Sequence, residues 1–289
     1  VAIVGDFFLD KYLDIDPSLR EMSLETGLEA RQVIAVRCYP GAAGTVLNNL
    51  VALGVGRIFP IGFTGSDGEG FELRRAMSQS GVDLSDLLET RERMTPTYTK
   101  PLVIEPGAAP RELERLDIKS RAPMPGAVED EIIRRMERRL AECQALIVAD
   151  QVEEANYGVI TDRVRGQIAR LGDLMPTRTL FADSRRRIGL FRSVIVKPNL
   201  AEGARSLGWE PTSASADAVA QAISQRTGRP ACVTLGAEGI VVFDGTRVWH
   251  IPAFVGDGPT DTVGAGDSLT EGTVSALCAG ASVAEAVLI

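Results

Sequence analysis

The sequence is poor in histidine, in aromatic residues and in long apolar runs, and it has no excess of positive charge. His250 is its one histidine. No second ligand or nucleophile stands near it in sequence, so a structural or surface place is its ordinary reading. The four cysteines, Cys38, Cys143, Cys232 and Cys278, form no CxxC pair, which excludes the common zinc and redox spacings and reads as reduced thiols. Lys and Arg number 31 against 39 Asp and Glu, a net charge of −8. A protein whose main business is nucleic acid needs a basic face to displace counterions, so no nucleic-acid partner is expected. No apolar stretch approaches the ~18 residues a membrane helix requires, so no membrane partner is expected either. No charged-then-apolar leader opens the sequence, and a cytoplasmic place is expected. A Gly-x-G-x-x-Gly fingerprint is missing after the first strand, where Gly5-Asp6-Phe7-Phe8 stands instead, and a dinucleotide-binding dehydrogenase is set aside.

What is present is a rhythm. Apolar runs at 1–4, 145–148, 179–181, 193–196 and 231–234 read as buried strands. Helical spacing at 43–53, 71–77, 127–143, 158–171, 200–207, 214–226 and 268–279 separates them. Strands alternating with helices predict an α/β fold, a doubly wound and mostly parallel sheet. Two polar, β-leaning segments, 12–39 and 95–118, break the rhythm. They are expected to pair as a small β-sheet lid over a core made of 1–11, 40–94 and 119–289. In such a sheet ligands sit at the carboxyl ends of the strands. Asp6, Asp150, Asp183, Asn199 and Thr234 stand at those ends, where a turn or a helix cap is the competing reading for each.

The sharpest segment is Asp261-Thr262-Val263-Gly264-Ala265-Gly266-Asp267, just before a helical run. Small residues at a helix start leave backbone N–H groups free, and the helix dipole adds positive potential, which makes an anion hole for a transferring phosphoryl group. A carboxylate in that same turn would repel a phosphate unless it took a proton from the attacking hydroxyl. The alternative is a Gly-rich helix start with Asp267 as an N-terminal helix charge.

Residues 261–267 resemble the C-terminal signature of the ribokinase/PfkB sugar-kinase family. Pro40-Gly41-Ala42-Ala43 resembles its N-terminal Gly-Gly signature, and Gly62-x-x-Gly65-x-Asp67-x-x-Gly70 its Gly-x-x-Gly-x-Asp-x-x-Gly stretch. Asn199-x-x-Glu202 resembles its Asn-x-x-Glu motif and Thr234-x-Gly236-x-x-Gly239 its nucleotide loop. Within the family, GDFFLDKY at 5–12, Thr97-Tyr98-Thr99-Lys100 and Arg115-Leu116-Asp117 look most like bacterial heptose-phosphate kinases.

The resemblance implies a ribokinase-like fold and ATP-dependent phosphoryl transfer to a hydroxyl of a sugar or sugar phosphate. Asp267 would be the base, and Gly264, Ala265 and Gly266 the anion hole. Asn199 and Glu202 would organise Mg²⁺, with a monovalent cation near Asp261. Thr234, Gly236 and Gly239 would lie along the nucleotide, with Arg187 and Lys197 at its phosphates. The run Arg185-Arg186-Arg187 has a solvated face as its other reading. Asp10, Gly41, Ala42, Thr45 and Lys100 would meet the acceptor, and the lid is a candidate homodimer contact. The sequence departs from the family where Ala42 replaces the second Gly and Thr45 the usual Asn. Two other functions stay open: a nucleoside kinase of the same fold, which needs a stacking lid, and a catalytically silent nucleotide- or sugar-binding regulator.

Overall fold

The computed structural model describes residues 1–253 and 264–288. Its first half comprises β1 (Ala2–Gly5), β2 (Phe7–Met22), β3 (Glu29–Ala42), α1 (Ala43–Ala52), β4 (Phe59–Gly65), α2 (Gly68–Ser78), β5 (Leu87–Thr90), β6 (Thr97–Val103), β7 (Arg111–Glu112) and β8 (Leu116–Ile118). There follow α3 (Gly126–Glu142), β9 (Ala145–Asp150), α4 (Asp162–Leu174), β10 (Thr179–Ser184), β11 (Ile195–Val196) and α5 (Leu200–Leu207). The last elements are α6 (Ala216–Thr227), β12 (Ala231–Thr234), β13 (Ile240–Phe243), β14 (Val248–Ile251), α7 (Ala265–Cys278) and α8 (Val283–Ala286).

Among the described residues nine strands form one sheet in the order β14-β13-β12-β11-β10-β9-β1-β4-β5, every neighbouring pair parallel except the two that β13 makes, with β12 and with β14. Period-two alternation divides the core. Ala2, Val4, Leu146, Val148, Leu180 and Ala182 face one side, packed by Ile132 and Met136 of α3, Ile168 of α4 and Ile223 of α6. Ile3, Ala145, Ile147 and Phe181 face the other, packed by Leu47 and Leu50 of α1, Leu73 of α2 and Val274 of α7. Strands buried on both faces read as continuous apolar runs, which is why they were legible.

The second sheet has five strands, β3-β2-β6-β7 with β8 also on β6. Residues 12–39, expected to be β-leaning around 33–36, form far more strand than that. β2 runs unbroken out of the core for 16 residues and β3 returns over 14. The polar outer half of β2 hides the signal. Pro17, which has no N–H to donate, falls at a register break between Asp16 and Glu21. β2 pairs parallel with β6 from Leu9↔Thr97 to Ile15↔Val103, so the two rhythm-breaking segments share one sheet. β5 was not expected. Only Leu87 of its four residues is buried, too little for an apolar run.

Candidate active site

β1 lies between β9 and β4, the point at which the strand order turns from one direction to the other. Crevices outside the carboxyl ends of strands open at such points. Here a cavity of about 520 Å³ is lined by Asp10, Ala42, Thr45, Tyr98, Lys100 and Asp267 among others.

The lid supplies one wall. Asp10 of β2 and Lys100 of β6 are an ion pair at 2.9 Å. Lys100 Nζ also donates to Tyr12 Oη at 3.2 Å. Burial alone would lower the Lys100 pKa, but Asp10 and Tyr12 outweigh it and hold the ammonium above its usual range. Gly41 makes this possible: a Cβ there would stand 2.5 Å from Asp10 Oδ2. Ala42, next in the chain, has φ 55° and ψ −119°, a conformation natural to the glycine whose place it takes. Thr45 follows in the first turns of α1 and lines the cavity.

The start of α7 supplies the opposite wall. Gly264 takes φ 83° as its cap, and the first N–H groups of the helix have no partner within it. Asp267 lies in the first turn. Burial first, then the Asp183 carboxylate, raise its pKa against Lys197 and Arg185. Lys197 is buried, paired with Asp183 at 2.8 Å. A Cβ on Gly266 would stand 3.4 Å from its Nζ, so a buried ammonium lies directly against the helix start. Asp261 and its neighbours to Val263, with the monovalent cation expected there, fall outside the described residues.

Asn199 and Glu202 meet in a reciprocal capping box at the start of α5. Asn199 Oδ1 accepts the Glu202 N–H and Glu202 Oε2 accepts the Asn199 N–H, both at 2.8 Å. The capping alternative for Asn199 is therefore realised, and among the described residues Glu202 Oε1 has no hydrogen-bond partner. Burial raises the Glu202 pKa, opposed by the Asn199 N–H. Thr234, at the end of β12, makes an isolated parallel bridge to Asn199 beyond the end of β11. Gly236 and Gly239 form the β12–β13 turn with φ 62° and 102°. Lys197, Asn199, Glu202 and Thr234 thus share one stretch of sheet edge beyond Asp183. Ala265, Gly266 and these residues do not line the cavity itself.

Arg187 does not take the place expected for it. It is 8% exposed and bound to Asp150, with Nη2 on Oδ1 at 2.5 Å and Nε on Oδ2 at 3.2 Å. It also donates to the carbonyls of Glu153, at 2.8 Å, and Val152. A carboxylate with no exposure needs such a partner. Arg185, two residues earlier, lines the cavity instead, held by Gln151 Oε1 at 2.7 Å. A run of three arginines gives no sign of which one a strand end turns inward. Three further residues that line the cavity were not named as site candidates, although two of them lie in quoted motifs: Tyr98, Arg115 and Lys119. The Arg115 guanidinium lies 4.3 Å from the Tyr98 ring centre, with Lys119 Nζ at 5.9 Å.

The fold is that of the ribokinase-like kinases. A putative phosphofructokinase from Staphylococcus aureus superimposes with TM-score 0.74 at 18% identity, over 99% of this chain and 87% of that one. Phosphofructokinase-2 from Escherichia coli, solved in complex with fructose-6-phosphate, gives 0.67 at 17%, over 99% and 89%. In sequence, residues 190–289 match the family described as pfkB family carbohydrate kinase, so the resemblance carried by the motifs stands. Bifunctional protein HldE of Citrifermentans bemidjiense is 27% identical over 294 residues, 99% of this chain and 57% of its own length. HldE of Trichlorobacter lovleyi is 27% identical over 287 residues, 98% of this chain and 56% of its own. The chain spans a little over half the length of these curated relatives. No helix among the described residues is long and apolar enough to cross a membrane.

Proposed function

We propose that the protein transfers the γ-phosphoryl group of ATP to a hydroxyl of a sugar phosphate. The observation that carries this reading is one cavity with a carboxylate at a helix start on one wall and an acceptor-binding pair, Asp10 and Lys100, on the other. The acceptor O–H gives its proton to Asp267 as its oxygen bonds to phosphorus and the bond to the ADP oxygen breaks. The first N–H groups of α7, which have no partner within the helix, and the Lys197 ammonium stabilise charge on the transferring group. Mg²⁺ fits the donor set only sparingly. Among the described residues no three acidic, His or Cys side chains gather as a metal cluster, so Glu202 Oε1 would hold it together with waters and the nucleotide phosphates. When bound, it neutralises phosphate charge.

The acceptor class is read from charge. Arg115, Lys119 and Arg185 gather on the cavity around Tyr98, an arrangement suited to a second anionic group. The same residues argue against a nucleoside. One side of the Tyr98 ring is occupied by Arg115, and Phe8 packs T-shaped against it at 5.3 Å, so at most one face is left to stack on a base. The reading also includes a homodimer through the lid, because the edge strand β3 exposes Val33, Ile34 and Val36. Sedimentation of wild type and Val36→Glu tests that part: the variant should sediment as the smaller species. ADP release with Mg-ATP across neutral sugars, sugar phosphates and nucleosides tests the function. Sugar phosphates should turn over fastest; turnover of nucleosides alone, or of nothing, contradicts the reading.

A further inference from the structure

Asp6 is a buried carboxylate to which the phosphoryl-transfer chemistry gives no task. It follows β1 at the point where the strand order turns and is 3% exposed. Its Oδ1 accepts the N–H of Val159 at 2.7 Å. Its Oδ2 accepts those of Gln151 at 3.0 Å and Val152 at 3.2 Å. One side chain therefore fastens both ends of the segment 151–159. Its backbone carbonyl also receives the N–H of Ala43 at 3.0 Å, at the start of the helix that carries Thr45. The approach is close: a Cβ on Gly158 would come 2.7 Å from Asp6 Oδ1. On the far side Arg187 grips the carbonyls of Val152 and Glu153 while paired with Asp150. Gln151, Val152, Glu153, Glu154, Tyr157 and Gly158 all line the cavity. The segment is a wall of the site, and Asp6 is what it hangs on.

Resting on the sugar-kinase reading above, we propose that Asp6 is a positioning residue: its ionised carboxylate sets the 151–159 wall against which the acceptor substrate is held. Converging N–H donors need an acceptor with several lone pairs and no hydrogen, which only the ionised acid supplies. Asparagine would turn an NH₂ group into donors; protonation would put a hydrogen on one oxygen.

The same geometry makes the wall sensitive to acid. Burial first, and then the Asp150 carboxylate, push Asp6 up to about 6, against the three N–H bonds. Asp150, from β9, faces it with Arg187 behind, and Asp6 also borders the cavity that Asp10, Lys100, Arg115, Lys119, Arg185 and Asp267 line. α1 and β4 bring no titratable side chain. Glu129 of α3 is turned to Thr161 and Arg163. Within the wall, Glu153 pairs with Arg186, while Glu154 and Tyr157 border the cavity. Protonating Asp6 relieves its burial and its repulsion from Asp150, so the fold as a whole gains while the wall loses its charged acceptor. Acid should therefore weaken acceptor binding without lowering Tm through this group, a combination that a merely structural carboxylate would not produce.

The test combines kinetics on the acceptor found by the substrate screen with hydrogen exchange. For Asp6→Asn at pH 7.5 the acceptor KM should rise tenfold or more and the ATP KM by less than twofold. In wild type kcat/KM for the acceptor should fall as pH drops through about 6, and that fall should be lost in the variant. Gly158→Ala, which crowds Asp6 while leaving it in place, should raise the acceptor KM in the same way and covers the case in which Asp6→Asn does not fold. In wild type, exchange of 151–159, corrected for intrinsic rate, should speed up between pH 7.5 and 5.5 while the β1 and β9 amides stay protected. Folded variants with unchanged acceptor KM, or exchange of 151–159 that is indifferent to pH, overturn the proposal. A wild type that phosphorylates no sugar contradicts the kinase reading instead, and the exchange measurement still reports on the clamp.

Discussion

Replacing Ala42 with glycine should stabilise the protein. Ala42 holds φ 55° and ψ −119° at the start of α1, where its Cβ crowds the backbone. Keeping a residue other than glycine in such a region costs about 1–3 kcal/mol. Glycine in turn carries more unfolded-state entropy, worth roughly 0.5–1 kcal/mol. Relief exceeds the entropy term over most of that range, leaving a net gain of about 1 kcal/mol. For a domain somewhat smaller than this one, each kcal/mol moves Tm by roughly 2–4 °C. Calorimetry on wild type and Ala42→Gly at one pH and buffer reads this directly. A variant that melts lower than wild type refutes the reasoning, because the Ala42 methyl would then contribute more through packing than it costs in strain.

Other consequences follow from buried charge. Arg187→Met should destabilise by about 3–5 kcal/mol, since it strips the partner from a carboxylate that has no exposure; urea unfolding measures it. Glu271 of α7 is fully buried, and burial first, then Asp267, push it up to about 8 against a backbone N–H and the Asn49 side chain. The folded chain thus keeps a proton that the unfolded chain loses at about 4.5. Stability from this group is complete below pH 4.5 and falls as pH rises towards 8, by at most about 1.4 kcal/mol per pH unit. Glu271→Gln should flatten the decline of Tm between pH 5 and 8; an unchanged slope contradicts the assignment. Arg115→Ala should raise KM for a sugar phosphate about tenfold, the loss of one charge-assisted contact, and initial-rate kinetics decides it.

The α/β core was legible because strands buried on both faces and helices with one apolar face carry strong periodic signals. Leu146 to Val148 and Ile132 to Leu140 are examples. The lid was legible only as an interruption. Its strands β2 and β3 face solvent along much of their length, so alternation does not mark them. In the site, Asp10, Thr45, Lys100 and Asp267 line one cavity. The tasks of Arg187 and Asp6 were not legible. Each depends on a partner far along the chain, Asp150 for the first and the 151–159 backbone for the second, and spacing carries no record of such pairings. The Gly41 and Ala42 motif told where the chain bends. That Gly41 makes room for the Asp10 carboxylate appears only in the structure, where a Cβ at position 41 would fall 2.5 Å from Asp10 Oδ2.

The central claim is that Asp267 takes the proton from the acceptor. It is tested most directly by single-turnover kinetics of Asp267→Asn with Mg-ATP and the best acceptor from the substrate screen. The exchange keeps shape and hydrogen bonding but removes the base, so the rate of phosphoryl transfer should fall by roughly 10²–10⁴. ATP affinity should hold or rise, because a negative charge beside the phosphates is gone. Transfer at the wild-type rate by a folded Asp267→Asn protein would make Asp267 a helix-start charge and contradict the account.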